Sequence, residues 1–217
     1  MTNGIEESQR EKEFLPSIVA FGDSITAMEW PDYFKERLVK ESVPCHLLRR
    51  GISGNKVLTD SPEHYNFGVS GIKRFKQDAL GTSDVKYVIV LHGVNDIIHS
   101  CGSNPISEEV EAEEIIEGLK TYIKWAHEKN IQIFGGTLLP FGGYRGVTDT
   151  EEDKRQKVNH WIRNSGEFDQ VIDFEAVVQD PNHPERLLRE FDSGDHLHPS
   201  SKGSEALAEC IELHFFD

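Results

Sequence analysis

The alternation of short apolar runs with helical patterns limits the fold of this chain more than any other feature. Apolar and β-branched residues, in runs of strand length, occupy residues 18–21, 46–48, 87–91, 131–134 and 171–174. Apolar residues recur at helical spacing in the segments between and after them, at residues 32–41, 108–130, 153–164 and 200–216. Strands that alternate with helices predict βαβ units. The sequence therefore predicts an α/β fold with a parallel sheet covered by helices on both faces.

The length of the chain predicts one domain. A chain of 217 residues, of which 37% are hydrophobic, is large enough to bury a core and short for two domains. Residues 1–16 are mostly polar and end at Pro16, so we expect a polar N-terminal arm there. Residues 17–217 contain no internal repeat and no long linker, and we expect them to form a single domain.

Charge and cysteine content exclude several classes of partner and cofactor. The formal net charge of −15 repels polyanions, so no nucleic-acid partner is expected. The three cysteines, Cys45, Cys101 and Cys210, are far apart and lack CxxC spacing. They predict neither a disulfide framework nor a thiolate zinc site. We expect the protein to work without a metal or another cofactor.

The first residues and the hydropathy of the chain predict a cytoplasmic protein. Its first residues, "MTNGIEESQREKEF", are charged and have no apolar stretch of the kind that marks a secretory signal. No later run reaches the ~18 apolar residues of a membrane-spanning helix. We therefore expect no membrane partner.

Polar residues and glycines follow several of the predicted strands, at the sheet edge where open α/β sheets bind ligands. Ser24, in "FGDSIT", is placed to act as a nucleophile with its own N–H at a helix start, or else it belongs to an ordinary turn. Gly54, in "GISGN", could present its N–H to a ligand, or serve as a loop glycine. Asn95, in "HGVNDI", offers an amide donor, or forms a turn.

A serine nucleophile needs an imidazole base and a carboxylate that orients it, and DxxH spacing supplies both. That spacing occurs three times, in Asp96/His99, Asp180/His183 and Asp195/His198, and spacing alone does not choose between the pairs. One further alternative is metal-dependent hydrolysis, because the loop near the C-terminus contains ligand types for a hydrolytic metal. These residues are Asp192, Asp195, His196 and His198.

Four motifs in order give the sequence a specific resemblance. "FGDSIT", "GISGN", "GVND" and "DHLHP" resemble the four blocks of the SGNH hydrolases, the GDSL-type esterases and lipases. The resemblance covers residues 17 to about 213. It implies a three-layer α/β/α fold with a five-stranded parallel sheet in flavodoxin-like order. It also implies a serine ester hydrolase with a Ser24, His198 and Asp195 triad, and an oxyanion hole formed by Ser24, Gly54 and Asn95.

Further segments bear on the substrate. "FGGTLLPFGGY", "WIR", "IDFE" and "SGDHLHP" resemble a bacterial branch of the family linked to carbohydrate ester hydrolysis. This resemblance implies acylated carbohydrates or other small esters as substrates, and a sheet edge without a lid, which offers a shallow cleft, predicts short acyl groups, acetyl first. Tyr65, Phe141 and Tyr144 lie in loops at the predicted edge, either lining the substrate cleft or serving in packing. An acyltransferase with the same triad, or a non-catalytic carbohydrate-binding domain of this fold, are the alternative functions.

Overall fold

The computed structural model describes residues 15–61, 65–98 and 109–216 of the chain. The predicted polar arm at residues 1–16 lies outside the described residues except for its last two positions. His99 and Cys101, both named above, also lie outside them.

Five parallel strands form the central sheet, which confirms the predicted fold class. They are β1 (Ser17–Gly22), β2 (His46–Gly51), β3 (Val85–Leu91), β4 (Gln132–Gly136) and β5 (Gln170–Ile172). Their order in the sheet is β2-β1-β3-β4-β5, the flavodoxin-like order that the resemblance implied. All six residues of β1 are buried, since this strand pairs with β2 on one side and β3 on the other.

Eight helices accompany the sheet within the described residues. They are α1 (Ser24–Ala27), α2 (Trp30–Lys40), α3 (Gly71–Asp78), α4 (Val94–Ile98), α5 (Ala112–His127), α6 (Asp149–Asn164), α7 (Phe174–Val178) and α8 (Ser201–Glu209). The strand order reverses at β1, and right-handed crossovers therefore place α2 and α3 on opposite faces. In the described part of the chain, no helix combines the length and the apolar character needed to cross a membrane.

Aromatic side chains fill the core on both faces of the sheet. On the face covered by α3 and α5, the rings of Phe75 and Tyr122 stack with centroids 4.3 Å apart, and Phe21 meets Phe75 edge-on. On the α2 face, Trp30 packs against Phe174 at 5.6 Å. Because both faces are densely packed, the carboxyl ends of the strands have fixed positions relative to one another.

A small antiparallel hairpin follows α7 and was not predicted. It consists of β6 (Gln179–Asp180) and β7 (His183–Leu187). The sequence of β7, HPERL, contains a proline and three polar residues, so it lacks the apolar run on which strand prediction depends. The hairpin supports the loop after β4, because the backbone N–H of Gly142 donates to the carbonyl of Glu185 at 2.6 Å.

Candidate active site

A cavity of about 400 Å³ opens at the carboxyl ends of the strands, the edge at which the sequence placed a ligand site. Its wall includes Ser24, Gly54, Asn95 and His198, which come from four separate segments of the chain. Phe67, Ile98 and Leu197 supply apolar surface beside these polar groups, as is usual in sites for small molecules.

Ser24 is placed by the abrupt end of β1. The chain leaves the strand at Gly22, and the Asp23 carboxylate then caps α1 by accepting a hydrogen bond from the backbone N–H of Ile25 at 3.0 Å. Ser24 is the first residue of that helix and keeps only 9% of its surface exposed. Its Oγ lies 2.8 Å from Nε2 of His198.

The His198 ring is held by Asp195, three residues earlier. The Oδ2 atom of Asp195 lies 2.6 Å from His198 Nδ1, and its Oδ1 atom accepts the backbone N–H groups of Leu197 and His198. A carboxylate only accepts hydrogen bonds, so Nδ1 carries the proton and a neutral ring leaves Nε2 free to accept one from Ser24. The arrangement can thus draw a proton from the serine hydroxyl.

The pKa of Asp195 fits that role as an acceptor. Partial burial by itself would raise the pKa, but hydrogen bonds from the His198 ring and from the two backbone N–H groups outweigh it. The result is a pKa lowered to about 2, so the carboxylate is ionised at neutral pH.

The other two DxxH pairs have different surroundings. Asp96 is buried and turned away, with its oxygens accepting the backbone N–H groups of Val57 and Leu58 at 2.8 and 3.0 Å. Its partner in the motif lies outside the described residues. Asp180 and His183 pair across the β6–β7 hairpin on either side of its turn, and neither lines the cavity. Of the three aspartates, the structure brings only Asp195 and its histidine to Ser24.

Gly54 and Asn95 face the same cavity as Ser24. Gly54 has a φ of +73°, and a Cβ atom there would lie 2.3 Å from the Phe67 ring, so both the backbone angle and the space require glycine. Asn95 donates from Nδ2 to the carbonyl of Asn55 at 3.0 Å. That bond fixes the orientation of the amide and leaves its second N–H available for a ligand.

A buried arginine, which the sequence analysis did not identify, connects the loops behind the cavity. Arg74 on α3 donates to the carbonyl of Gly22 at 2.7 Å, to that of Arg50 at 3.1 Å and to the side chain of Asn55 at 2.9 Å. Its guanidinium lies 4.0 Å from the centroid of the Phe21 ring. A single sequence offers no signal for this role, because an arginine on a short helix is usually exposed.

Two buried carboxyl groups lie close behind Ser24. Burial raises the pKa of Asp23 to about 7, with the nearby charge of Asp96 adding to the effect. Burial likewise raises the pKa of Asp96 to about 6, although the backbone N–H groups of Val57 and Leu58 oppose the shift. Asp23 Oδ2 has no hydrogen-bond partner among the described residues, which is a further cost of ionising that group.

Of the three residues predicted to line a substrate cleft, Tyr144 lies in the wall of this cavity. The prediction is wrong for Phe141, whose side chain is fully buried beneath the Arg155 guanidinium, 5.7 Å from its ring centroid, and has no surface to offer a substrate. Tyr65 is 89% exposed and does not line the cavity. Phe67, two residues further along, contributes the aromatic wall instead.

The residues of the alternative metal site form two separate pairs. His196 Nδ1 lies 2.7 Å from Asp192 Oδ2, and the backbone N–H of His196 also donates to Asp192. Asp195 and His198 pair with each other, as described above. Across residues 15–61, 65–98 and 109–216, no three His, Cys, Asp or Glu side chains come together in a way that could hold a metal ion.

The fold and cleft define a doubly wound α/β protein with a polar site at the carboxyl ends of its strands, and solved structures share that fold. A lipolytic protein of the G-D-S-L family from Desulfitobacterium hafniense is 22% identical over 89% of this chain and 96% of its own, with a TM-score of 0.64. A carbohydrate acetylesterase from Sinorhizobium meliloti is 15% identical over 90% and 96%, with a TM-score of 0.70. An acetyl-xylooligosaccharide esterase from Geobacillus, in a mutant form, is 17% identical over 91% and 95%, with a TM-score of 0.68.

The sequence itself identifies the family. The sequence model of the GDSL-like Lipase/Acylhydrolase family matches residues 20–206, and the chain belongs to that family. No protein with a curated description matches the sequence. Membership makes the chain a carboxylic ester hydrolase, so the predicted family and enzyme class are both confirmed.

Proposed function

We propose that this protein hydrolyses short-chain acyl esters of carbohydrates, acetyl esters first, with Ser24 as nucleophile, His198 as general base and Asp195 as the group that orients the imidazole. The observation that carries the proposal is the continuous row of hydrogen bonds from Ser24 Oγ to His198 Nε2 at 2.8 Å and from His198 Nδ1 to Asp195 at 2.6 Å. The first distance suits proton transfer without rearrangement, and the second suits the hydrogen bond by which Asp195 orients the imidazole.

In the first half of the reaction, Ser24 Oγ attacks the ester carbonyl while its proton moves to His198 Nε2. Negative charge develops on the carbonyl oxygen. The backbone N–H groups of Ser24 and Gly54 and the amide of Asn95 form the oxyanion hole. Loss of one such donor typically costs ~2.7–4 kcal/mol of transition-state stabilisation.

To complete the first half, His198 gives its proton to the departing alcohol, and the bond between the carbonyl carbon and that alcohol breaks. In the second half, water attacks the acyl-enzyme carbonyl while His198 accepts its proton. His198 then returns that proton to Ser24 Oγ as the bond between the acyl carbon and Oγ breaks and the free acid leaves. The imidazolium that forms in each half is stabilised by the Asp195 carboxylate, whose lowered pKa keeps it ionised.

The size of the cavity supports a short acyl group. At about 400 Å³ it lies near the lower end of the range for small-molecule sites, and the same space must also hold part of the alcohol. The nearby walls are Ile98 and Leu197, both almost fully buried. We expect acetyl esters to be cleaved faster than dodecanoyl esters when both are compared below their aggregation concentrations.

The preference for carbohydrates is proposed by analogy. Two structures with this fold are described as a carbohydrate acetylesterase and an acetyl-xylooligosaccharide esterase. The half-exposed ring of Tyr144 and the ring of Phe67 line the cavity and give a sugar two aromatic surfaces on which to pack.

The test combines an active-site probe with a substrate panel. A fluorophosphonate should label wild-type protein at Ser24, as located by peptide mass spectrometry, and should leave Ser24→Ala unlabelled. The wild type should release acetate from acetylated xylo-oligosaccharides and from para-nitrophenyl acetate. Folded Ser24→Ala with more than a tenth of wild-type kcat would exclude Ser24 as the nucleophile. Acyl transfer to a sugar acceptor that outpaces hydrolysis would reassign the enzyme as an acyltransferase.

A further inference from the structure

Arg145 is the feature of the cleft that the proposed reaction leaves unused. It is exposed and lines the cavity together with Ser24 and His198. It makes no hydrogen bond or ion pair with any described residue. By contrast, the arginines at positions 37, 49, 74, 155, 163 and 186 all form ion pairs with carboxylates.

The loop that presents Arg145 is held in a defined shape. The backbone N–H of Tyr144 donates to the carbonyl of Phe141 at 3.0 Å, and that of Val147 donates to the carbonyl of Tyr144 at 3.1 Å. Gly143 has a φ of +99°, a conformation that L side chains rarely adopt. These constraints give the backbone of the Tyr144–Arg145 segment a defined shape beside the cavity.

The same loop lies on the alcohol side of the reaction. A Cβ atom on Gly143 would lie 3.3 Å from Cγ of His196, so the loop touches the segment that carries His198. In the proposed mechanism His198 protonates the leaving alcohol, whereas Gly54 and Asn95 bind the carbonyl oxygen. Arg145 therefore stands beside the alcohol of the ester.

The charges around the cleft indicate which kind of group Arg145 could bind. The protein carries a formal net charge of −15, which disfavours anionic substrates in general. Among the described residues that line the cavity, Arg145 is the one permanent charge. The nearby carboxylates of Asp192 and Asp195 are already engaged by His196 and His198. An unpaired guanidinium in such a site offers a planar pair of donors that matches a carboxylate.

We propose that Arg145 selects acyl esters whose alcohol part carries a carboxylate, with acetylated uronic acids as the substrate class. This inference rests on the proposed esterase function and specifies its substrate. The ester carbonyl binds at Ser24, the sugar ring packs beside Tyr144, and the sugar carboxylate pairs with the Arg145 guanidinium.

The test uses two substrates of nearly the same size, of which one is charged and one is neutral: the mono-acetylated methyl glycoside of glucuronic acid, and its uronamide. The wild type should show a kcat/KM for the acid about fivefold above that for the amide, which one exposed ion pair can supply. Arg145→Ala should abolish that preference, mainly by raising KM for the acid. Arg145→Lys should retain part of it, and added salt should weaken it in the wild type.

Arg189→Ala is the matched control, because it removes the same charge from an exposed arginine that does not line the cavity. It should keep the wild-type preference. The inference is overturned if the wild type shows no preference for the acid, or if both variants alter the preference equally. If the wild type, but not Ser24→Ala, releases acetate from the uronamide substrate, the esterase proposal survives even when this inference is overturned. Absence of that hydrolysis and of probe labelling at Ser24 would instead overturn the esterase proposal, and this inference with it.

Discussion

Asparagine substitutions at His198 and His196 test the proposed proton relay most sharply, because the two histidines lie in one loop and each pairs with its own aspartate. Asparagine is preferred to alanine because His196 has a φ of +66°, a conformation that asparagine tolerates better than most residues. The two variants therefore change the same ring to the same amide, two positions apart.

The expected losses follow from the contacts of each ring. His198 lies 2.8 Å from Ser24 Oγ, and without it water must accept the serine proton and supply one to the leaving alcohol. General base catalysis alone contributes ~10²–10⁴-fold. With both steps affected, we expect kcat/KM to fall by about 10⁴-fold or more, roughly 5.5 kcal/mol. His196 is 54% exposed and outside the cavity wall, and its ion pair is worth at most about 1 kcal/mol, so activity should stay within about fivefold.

The assay measures kcat/KM on para-nitrophenyl acetate, with circular dichroism and thermal unfolding to establish that both variants fold. The double variant Ser24→Ala/His198→Asn should be little worse than either single variant, because residues that act as a unit give non-additive losses. The reasoning is refuted if His196→Asn is as damaging as His198→Asn, or if folded His198→Asn keeps more than a tenth of the wild-type rate.

Three further predictions concern groups in or near the hydrogen-bonded row of Ser24, His198 and Asp195. Asp195→Asn should keep the fold and lower kcat by about 10²–10⁴-fold with little change in KM, since an amide favours the wrong tautomer of His198; full activity would remove Asp195 from the mechanism. Asp23 has a folded-state pKa raised from 3.8 to about 7, so its share of stability is lost as pH rises between those values. Asp23→Asn can still cap α1, and it should remove up to roughly 4 kcal/mol of the decline in the free energy of unfolding over this pH range, as measured by urea unfolding. An equal decline in the variant and the wild type would contradict this prediction. Arg74→Met should lower the free energy of unfolding by about 3 kcal/mol, because it removes the charged hydrogen bonds to the carbonyls of Gly22 and Arg50 and to the side chain of Asn55; an unaltered midpoint would show that the network is not stabilising.

The order of the elements was readable from the sequence because it depends on pattern and length, but their ends were not. The last predicted strand was expected to reach Phe174, yet β5 ends at Ile172, Asp173 caps α7 and Phe174 begins that helix. An apolar residue fits either element, so periodicity does not locate the boundary. The helix predicted at residues 153–164 begins earlier, at Asp149, where Thr148 and Glu151 form a capping box.

The sequence predicted candidate site residues where the chemistry restricts the residue type. It did not predict the residues whose position depends on packing alone. The proposed chemistry needs a hydroxyl, an imidazole and a carboxylate, and the DxxH spacing left three pairs open; the order of the four motifs is what predicted Ser24, Asp195 and His198. The residues of the cavity wall could not be predicted in this way, because any aromatic side chain in a loop is a candidate. In the sequence, Phe141 and Phe67 are both phenylalanines outside the predicted strands and helices. The structure shows that Phe141 is buried under Arg155 and that Phe67 lines the cavity.

Arg74 shows how the core and the site depend on each other. Ser24 follows β1 and Gly54 follows β2, and just beyond the strand ends the backbone N–H of Ile52 donates to the carbonyl of Gly22 at 3.2 Å. A single guanidinium bonded to the carbonyl of Gly22 and to the side chain of Asn55 ties both loops to α3. The proposed oxyanion donors of Ser24 and Gly54 are then spaced by a rigid buried cation. Such preorganisation lets hydrogen-bond donors stabilise developing charge without reorganising during the reaction.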